Sequence, residues 1–285
     1  MIKDLQGKTA VVTGGASGIG RGIARRLAER GVNLALLDID QGHLAAVKNE
    51  LQRDGIKIGT YVLDVSDRAA VYRTADQIEA DFGKLHIVCN NAGVGYPGVP
   101  LDETPDNDID WVFGVNVFGV MNGIKAFVPK LKSHGEEAHV VNTASTAGLQ
   151  IRVNMHHGLY SASKMAVVAL SQGLAEAMIG TNVGVSVLCP QAVNTEIYRS
   201  HRVRPDRFGG AEEKEQSDAL AAQLQKGLTG EDVGAFVVHA IQNGEFFILT
   251  HPAFKTRVAD WHKRIMDGFD ASVGISEELG ISYKA

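Results

Sequence analysis

Thr9-Ala10-Val11-Val12-Thr13 runs directly into Gly14-Gly15-Ala16-Ser17-Gly18-Ile19-Gly20, and Arg21 to Arg30 follows with Ile23, Ala24 and Leu27 on one helical face. The short apolar run predicts a buried strand, and the apolar period of three to four predicts an amphipathic helix. Strand, glycine turn and helix in that order suit a dinucleotide. The glycines let the backbone turn tightly and approach a pyrophosphate, and the free N–H groups and dipole of the helix attract its charge. The spacing is Gly-x-x-x-Gly-x-Gly rather than the commoner Gly-x-Gly-x-x-Gly. A structural turn without a ligand is the alternative reading.

Working outward, Asn33 to Leu37 reads as a second strand ending at Asp38, eighteen residues after Gly20. An acid there can hydrogen-bond both ribose hydroxyls of adenosine and would repel the extra phosphate of NADP. No arginine stands at Ser17 or Ile39 to receive that phosphate, so the expected cofactor is NAD. Alternatively, Asp38 caps a helix starting near Gln41. Further strands are expected at Lys57–Leu63, His86–Cys89, His139–Thr143, Gly184–Cys189 and Phe246–Leu249. Helices are expected at Ala69–Phe82, with Val71, Ala75, Ile78 and Phe82 inward, and at Asp108–Leu131 and Tyr160–Ile179. Regular βα alternation predicts one α/β domain spanning residues 1–285, a doubly wound parallel sheet of about seven strands with helices on both faces. Ligands then bind beyond the carboxyl ends of the strands.

The stretch from Gln191 to about Gly230 breaks this rhythm with Arg199, His201, Arg202, Arg204, Pro205 and Arg207, then an acidic run at Glu212 to Glu215. Its length suits a substrate lid, and a solvated excursion is the alternative. The tail at about 252–285 reads as helical, with Val258, Trp261, Ile265 and Phe269 at helical spacing. It is placed over the active site, on a neighbouring subunit or, the blander reading for Trp261, against its own domain.

With 285 residues, 45% hydrophobic and 21% charged, the chain is long enough for one large core. A net charge of −5 without a basic patch argues against a nucleic-acid partner. No apolar run approaches the ~20 residues of a membrane span, and Met1-Ile2-Lys3-Asp4 opens no signal region, so no membrane partner and a cytoplasmic location are expected. Cys89 and Cys189 each end an apolar strand-like run and read as buried free thiols. His156-His157 lacks further ligands at metal spacing, so no metal site is assigned.

Tyr160-Ser161-Ala162-Ser163-Lys164 carries the chemistry. On a helix the phenol and the ammonium lie one turn apart on one face. A phenol with an ordinary pKa near ~10 is a poor base at neutral pH, and a neighbouring cation favours its ionised form. So tuned, Tyr160 could take a proton from an alcohol as a hydride leaves the same carbon.

Thr13-Gly14-Gly15-Ala16-Ser17-Gly18-Ile19-Gly20, Asp64-Val65, Asn90-Asn91-Ala92-Gly93, Asn116, Ser145 and the Tyr160–Lys164 run together resemble the short-chain dehydrogenase/reductases over roughly residues 5 to 250. The resemblance implies a Rossmann-type sheet and an enzyme that interconverts a secondary alcohol and a ketone. It implies catalytic roles for four residues. Ser145 would hydrogen-bond the substrate oxygen. Tyr160 would be base in oxidation and acid in reduction. Lys164 would lower the pKa of Tyr160 and hold the nicotinamide ribose. Asn116 would hold a relay water through its backbone carbonyl; without the resemblance it reads as a poor helix former. Cofactor contacts are implied at Gly14, Ser17, Gly18, Ile19, Gly20, Asp38 and Ile39, with Asp64 and Val65 at adenine. Asn91, Ala92 and Gly93 would line the adenosine side. Pro190, Val193 and Thr195, with Tyr160 and Lys164, would lie about the nicotinamide. Alone, Thr195 reads as a helix cap.

Two departures bear on substrate. Pro190-Gln191 stands where the family usually has Pro-Gly, and the Ser145-to-Tyr160 interval of fifteen residues is slightly long, so Gln150–His157 should wall the substrate pocket. Within the family the chain is most similar to bacterial NAD-dependent Cα-dehydrogenases of lignin-type aryl ethers. That likeness rests on Val120-Met121-Asn122-Gly123-Ile124, Arg204-Pro205-Asp206-Arg207-Phe208-Gly209 and Leu249-Thr250-His251-Pro252. It implies a bulky benzylic alcohol, with steroid or other cyclic alcohols and a biosynthetic ketoreductase as alternatives. A non-enzymatic NAD sensor is disfavoured because Ser145, Tyr160 and Lys164 are all present. The long Asp108–Leu131 and Tyr160–Ile179 helices carry more apolar residues than one sheet face needs, and the family commonly pairs through them. A homodimer or homotetramer is expected.

Overall fold

β1 (Thr9–Thr13) is buried along its whole length and pairs in parallel with β2 (Asn33–Asp38) on one side and β4 (Ile87–Asn90) on the other. The computed structural model describes residues 1–96, 98–151, 156–212 and 218–282. Among them the sheet has seven parallel strands in the order β3-β2-β1-β4-β5-β6-β7, completed by β3 (Ile58–Val62), β5 (Ala138–Thr143), β6 (Val183–Leu188) and β7 (Phe247–Ile248). β1, β4 and β5 are buried on both faces, which is why their sequences are continuous rather than alternating apolar runs. The strand order reverses between β1 and β4, and a crevice opens at their carboxyl ends.

Helices α1 (Gly18–Ala28), α2 (Gln41–Leu51), α3 (Arg68–Phe82), α4 (Asp106–Phe113), α5 (Gly119–Ser133), α6 (Gly158–Ala177), α7 (Asp218–Gln225) and α8 (Gly230–Asn243) connect the strands. One core joins α1, α2 and α8 to the sheet through Ile23, Leu27, Leu44, Val233 and Ile241. A second lies under α3, α4 and α5, with Ile78, Trp111, Phe127 and Leu131 fully buried. Each such side chain contributes about 1.5–3 kcal/mol by leaving water. Phe82, expected on the inner face of α3, is only half-buried. α1 and α8 touch backbone to backbone: a Cβ on Gly22 would lie 2.0 Å from the carbonyl carbon of Gly230.

The expected Asp108–Leu131 helix begins earlier and is not uniform. Between α4 and α5, Gly114–Phe118 forms a π-helical turn with Asn116 at its centre. The whole Asp106–Ser133 stretch is long and apolar enough by length and composition to cross a membrane, contrary to the reading of the bare sequence, but 67% of its apolar window is buried in the fold. It is a core helix.

The chain forms two compact units, Met1–Thr250 and His251–Ala285. The second is mainly one helix, α9 (Lys255–Leu279), where Ile265, Met266, Phe269 and Val273 are exposed and Trp261 is half-buried rather than core.

Candidate active site

Beyond the carboxyl ends of the strands lies one open cavity of about 770 Å³. At its floor, α1 begins without a capping bond: the Ser17 side chain caps nothing, and the first turn holds no acid. α2, α3 and α8 are capped by Asp40, Asp67 and Thr229. An uncapped, acid-free helix start behind a glycine turn leaves its donors for an anion. Gly14 and Gly18 take positive φ, and a Cβ on Gly18 would meet Thr195 Cγ2 at 2.8 Å. These features fit a dinucleotide pyrophosphate.

Asp38, half-buried at the end of β2, accepts from the Ala16 N–H on one carboxylate oxygen and the Asp40 N–H on the other, each at 3.1 Å. Burial raises its pKa above the usual carboxylate value, and these backbone donors oppose the rise. The alternative reading of Asp38 as a helix cap fails, because Asp40 caps α2 through the His43 N–H. The Thr13 hydroxyl accepts from the Asn91 and Ala92 N–H groups at 2.9 and 3.0 Å, and Asn91 Nδ2 donates to the Thr13 carbonyl at 3.1 Å. The β1 and β4 ends are thereby locked together at the point where the strand order reverses.

At the other end, α6 carries Tyr160 and Lys164 one turn apart. Lys164 is buried and donates to the Thr143 carbonyl at 3.1 Å. Burial pulls its ammonium down to about 8. Its Nζ is 5.8 Å from the Tyr160 ring centre. Burial pushes the Tyr160 phenol up to about 12, against a hydrogen bond with Ser145 that works the other way. In the protein without cofactor, desolvation of the phenolate is the larger effect. The Ser145 hydroxyl also accepts from the Ala147 N–H at 3.1 Å and donates to the Pro190 carbonyl at 3.4 Å, which fixes it at the end of β5.

Gly14, Ser17, Gly18, Ile19, Asp38, Ile39, Asp64 and Val65 all line the cavity, as do Asn91, Ala92, Gly93, Ser145, Tyr160, Lys164, Pro190, Val193 and Thr195. Two expected residues do not. Gly20 lies behind the turn, where a Cβ would be 2.0 Å from the Gly14 carbonyl oxygen, so its role is close packing. Asn116 is fully buried, clamping Val94 through Oδ1 and Nδ2 and donating to Ser163 Oγ at 3.1 Å. The Ser163 hydroxyl donates to the Tyr160 carbonyl at 2.7 Å, so Asn116 supports α6 from behind.

The side chains that the sequence reading left without roles come from 191–230. The base of this excursion is pinned by a Val193–Leu228 bridge and an Asn194 N–H to Leu228 carbonyl bond of 2.8 Å. Arg204 then reaches Asp108 at 2.5 Å with both side chains buried, and Tyr96 donates to the same carboxylate at 2.8 Å. Arg202 reaches Asp40 at 2.8 Å, and Arg207 reaches Asp64 at 2.5 Å. These partners are 96 to 162 residues apart, so no local spacing signals them. Tyr96, Trp111, His157 and Tyr198 add an aromatic lining. Of the expected pocket wall at Gln150–His157, Arg152–Met155 lie outside the described residues, as do Glu213–Glu215 of the acidic run. Cys89 and Cys189 are free and buried, and burial pushes both thiols up to about 12. Among the described residues no group of three or more His, Cys, Asp or Glu is placed to hold a metal ion.

The short chain dehydrogenase family profile matches residues 8–205, which include the glycine turn, Asn116, Ser145, Tyr160 and Lys164. This chain belongs to the short-chain dehydrogenase family. It is 33% identical over 270 residues to a Cα-dehydrogenase of Sphingobium sp. strain SYK-6, covering 93% of this chain and 88% of that protein. It is 35% identical over 257 residues to a 1-deoxy-11-beta-hydroxypentalenate dehydrogenase of Streptomyces avermitilis, covering 90% and 89%. A solved short chain dehydrogenase/reductase from Burkholderia phymatum, in complex with NAD, superposes with a TM-score of 0.85 at 38% identity, covering 100% of this chain and 99% of that chain. As a member of this family the chain is an oxidoreductase built on a Rossmann-type sheet.

Proposed function

We propose that this short-chain dehydrogenase oxidises a bulky secondary alcohol, aromatic at the carbinol, with NAD as acceptor. The observation that carries the reading is one cavity with Tyr160, Ser145 and Lys164 at one end and the Asp38 carboxylate at the other. Gly14, Gly18 and the start of α1 would hold the pyrophosphate, Asp38 the adenosine ribose, and Lys164 the second ribose. Bound NAD supplies the hydride acceptor. Ser145 orients the substrate oxygen and stabilises charge developing there. Tyr160 removes the hydroxyl proton. An added positive charge beside the phenol offsets the burial that holds it near 12. The π turn at Asn116 replaces the usual i to i+4 pattern by a bond from the Gly119 N–H to the Gly114 carbonyl, and the Asn116 backbone carbonyl in this turn would hold the relay water.

The aromatic lining by Tyr96, Trp111 and Tyr198, with the similarity to a Cα-dehydrogenase, supports a benzylic substrate. A second reading, reduction of a ketone or oxidation of a cyclic alcohol, draws on the protonated resting state of Tyr160 and the similarity to a hydroxypentalenate dehydrogenase. A cytoplasmic homo-oligomer belongs to the same proposal: Ile109, Phe118 and Ile179 are exposed on or next to the long helices of the catalytic unit. Sedimentation at micromolar concentration tests the assembly, and a monomer alone would remove it. The function is tested by following reduced nicotinamide with NAD or NADP over aryl, steroid and aliphatic secondary alcohols and the matching ketones. NAD-dependent turnover of bulky benzylic alcohols is expected; turnover only with NADP, or only of aliphatic alcohols, would overturn the reading.

A further inference from the structure

We infer that Arg202, on the excursion after β6, is a second determinant of cofactor choice: it is the cation that would meet a phosphate on the adenosine ribose, and Asp40 keeps it from doing so. The inference rests on the NAD reading above. Beside the glycine turn and β2, Ser17 and Ile39 carry no positive charge. The fold brings one in from elsewhere. Arg202 Nη1 donates to Asp40 Oδ2 at 2.8 Å, and Arg202 lines the same cavity as Ser17, Asp38 and Ile39. Asp40 is in turn joined to Asp38, its N–H donating to Asp38 Oδ1 at 3.1 Å. His43 completes the group, its N–H on Asp40 Oδ1 and its Nδ1 3.0 Å from Asp40 Oδ2.

The charges at this end of the cavity therefore decide which nucleotide fits. With His43 neutral, Asp38, Asp40 and Arg202 sum to one negative charge. A ribose phosphate would add between one and two more next to two carboxylates. The guanidinium that could answer it is already spent on Asp40. Arginine matches phosphate through two parallel N–H···O bonds, a geometry one exposed lysine would not supply. When NAD is bound, the Arg202–Asp40 pair instead ties the excursion to the end of β2 beside the ribose. Cofactor preference is thus set by a pair of acids and a distant arginine, and Asp38 alone is not the whole switch.

Binding of NAD and of NADP to the full-length protein, measured by titration calorimetry without substrate, tests this. The proteins compared are wild type, Asp38→Asn, Asp38→Asn/Asp40→Asn, and that double variant with Arg202→Gln. The double variant should gain in the ratio of NADP to NAD affinity over Asp38→Asn alone, and adding Arg202→Gln should lower that ratio by roughly tenfold or more, as expected for losing hydrogen bonds to a charged group. Equal ratios with and without Arg202 would overturn the inference. A wild type that prefers NADP would overturn the NAD reading instead, and shows before any variant is made. If circular dichroism finds the double variant unfolded, Asp40→Asn and Asp40→Asn/Arg202→Gln are compared on 2′,5′-ADP against 5′-AMP, under the same criterion.

Discussion

Asn116 grips Val94 by both backbone groups: Oδ1 accepts from the Val94 N–H at 2.8 Å and Nδ2 donates to the Val94 carbonyl at 3.1 Å. The side chain amide is therefore spent on the loop after β4. Any part Asn116 plays in proton transfer belongs to its backbone, in the π turn. Asn116→Ala should orphan two buried backbone groups, at about 1–3 kcal/mol each. Urea unfolding should show that loss, and NAD affinity should fall with it because the same loop lines the cavity. Unchanged stability would mean that the loop holds itself.

Tyr160→Phe should lower kcat by about 10²–10⁴ while leaving NAD binding intact. Normal turnover would leave only a nucleotide-binding role. The pH dependence has a definite sign. Tyr160 must be ionised to accept a proton, and burial places its pKa near 12 in the protein alone. Oxidation should therefore speed up as pH rises, and ketone reduction should slow. Opposite slopes in steady-state pH profiles would exclude Tyr160 as the acid–base group.

Arg204 and Asp108 form an ion pair with side chains 3% and 8% exposed. Asp108→Asn should cost about 3–5 kcal/mol by leaving the guanidinium buried without its counter-charge. Replacing both, as Arg204→Met/Asp108→Leu, should recover much of that. Denaturant midpoints for the two variants read this directly, and equal losses would show that the stacking of the Arg204 guanidinium on the Trp111 ring, 4.9 Å from its centre, matters more than charge.

His139, on β5, is fully buried, its Nε2 2.7 Å from Ser186 Oγ on β6, and burial lowers its pKa from 6.5 to about 3. The unfolded chain binds this proton near pH 6.5 and the folded chain does not until about 3. The associated stability is full above pH 6.5 and declines as pH falls toward 3, by at most about 1.4 kcal/mol per pH unit. His139→Asn should flatten that part of the stability–pH curve; an unchanged slope would assign the acid sensitivity elsewhere.

Gly22→Ala would place a methyl 2.0 Å from the Gly230 carbonyl oxygen. Backbone must move, so α1 and α8 should separate at a cost of about 3 kcal/mol or more. Thermal unfolding within one degree of wild type would contradict the close packing.

Much of this was legible in residue order. β1 falls on its expected residues, and β2 to β7 fall within a residue or two of theirs; for β1, β4 and β5, buried on both faces, the reason is that such parallel strands must be short apolar runs. Tyr160 and Lys164 share a helix, where spacing dictates geometry. The long helix through Asn116 was read as uniform α because a π turn keeps the same side-chain chemistry and differs only in backbone register. The sequence shows the cation beside Tyr160 and does not show the burial that opposes it in the protein without cofactor.

Local chemistry, then, followed from the chain itself: the glycine turn, the acid ending β2, the phenol and ammonium one turn apart, and the apolar runs that force a parallel sheet. Each depends on neighbours within one or two turns of chain, whose geometry the backbone dictates. Tertiary structure decided what depends on distance in space. It brought Arg202, Arg204 and Arg207 onto Asp40, Asp108 and Asp64, moved Gly20 and Asn116 behind the cavity wall, and set the balance of desolvation and charge at Tyr160 and Lys164. Charge pairing and burial act across contacts between residues about a hundred or more positions apart in sequence, 96 to 162 for these three pairs, and only the folded chain makes those contacts.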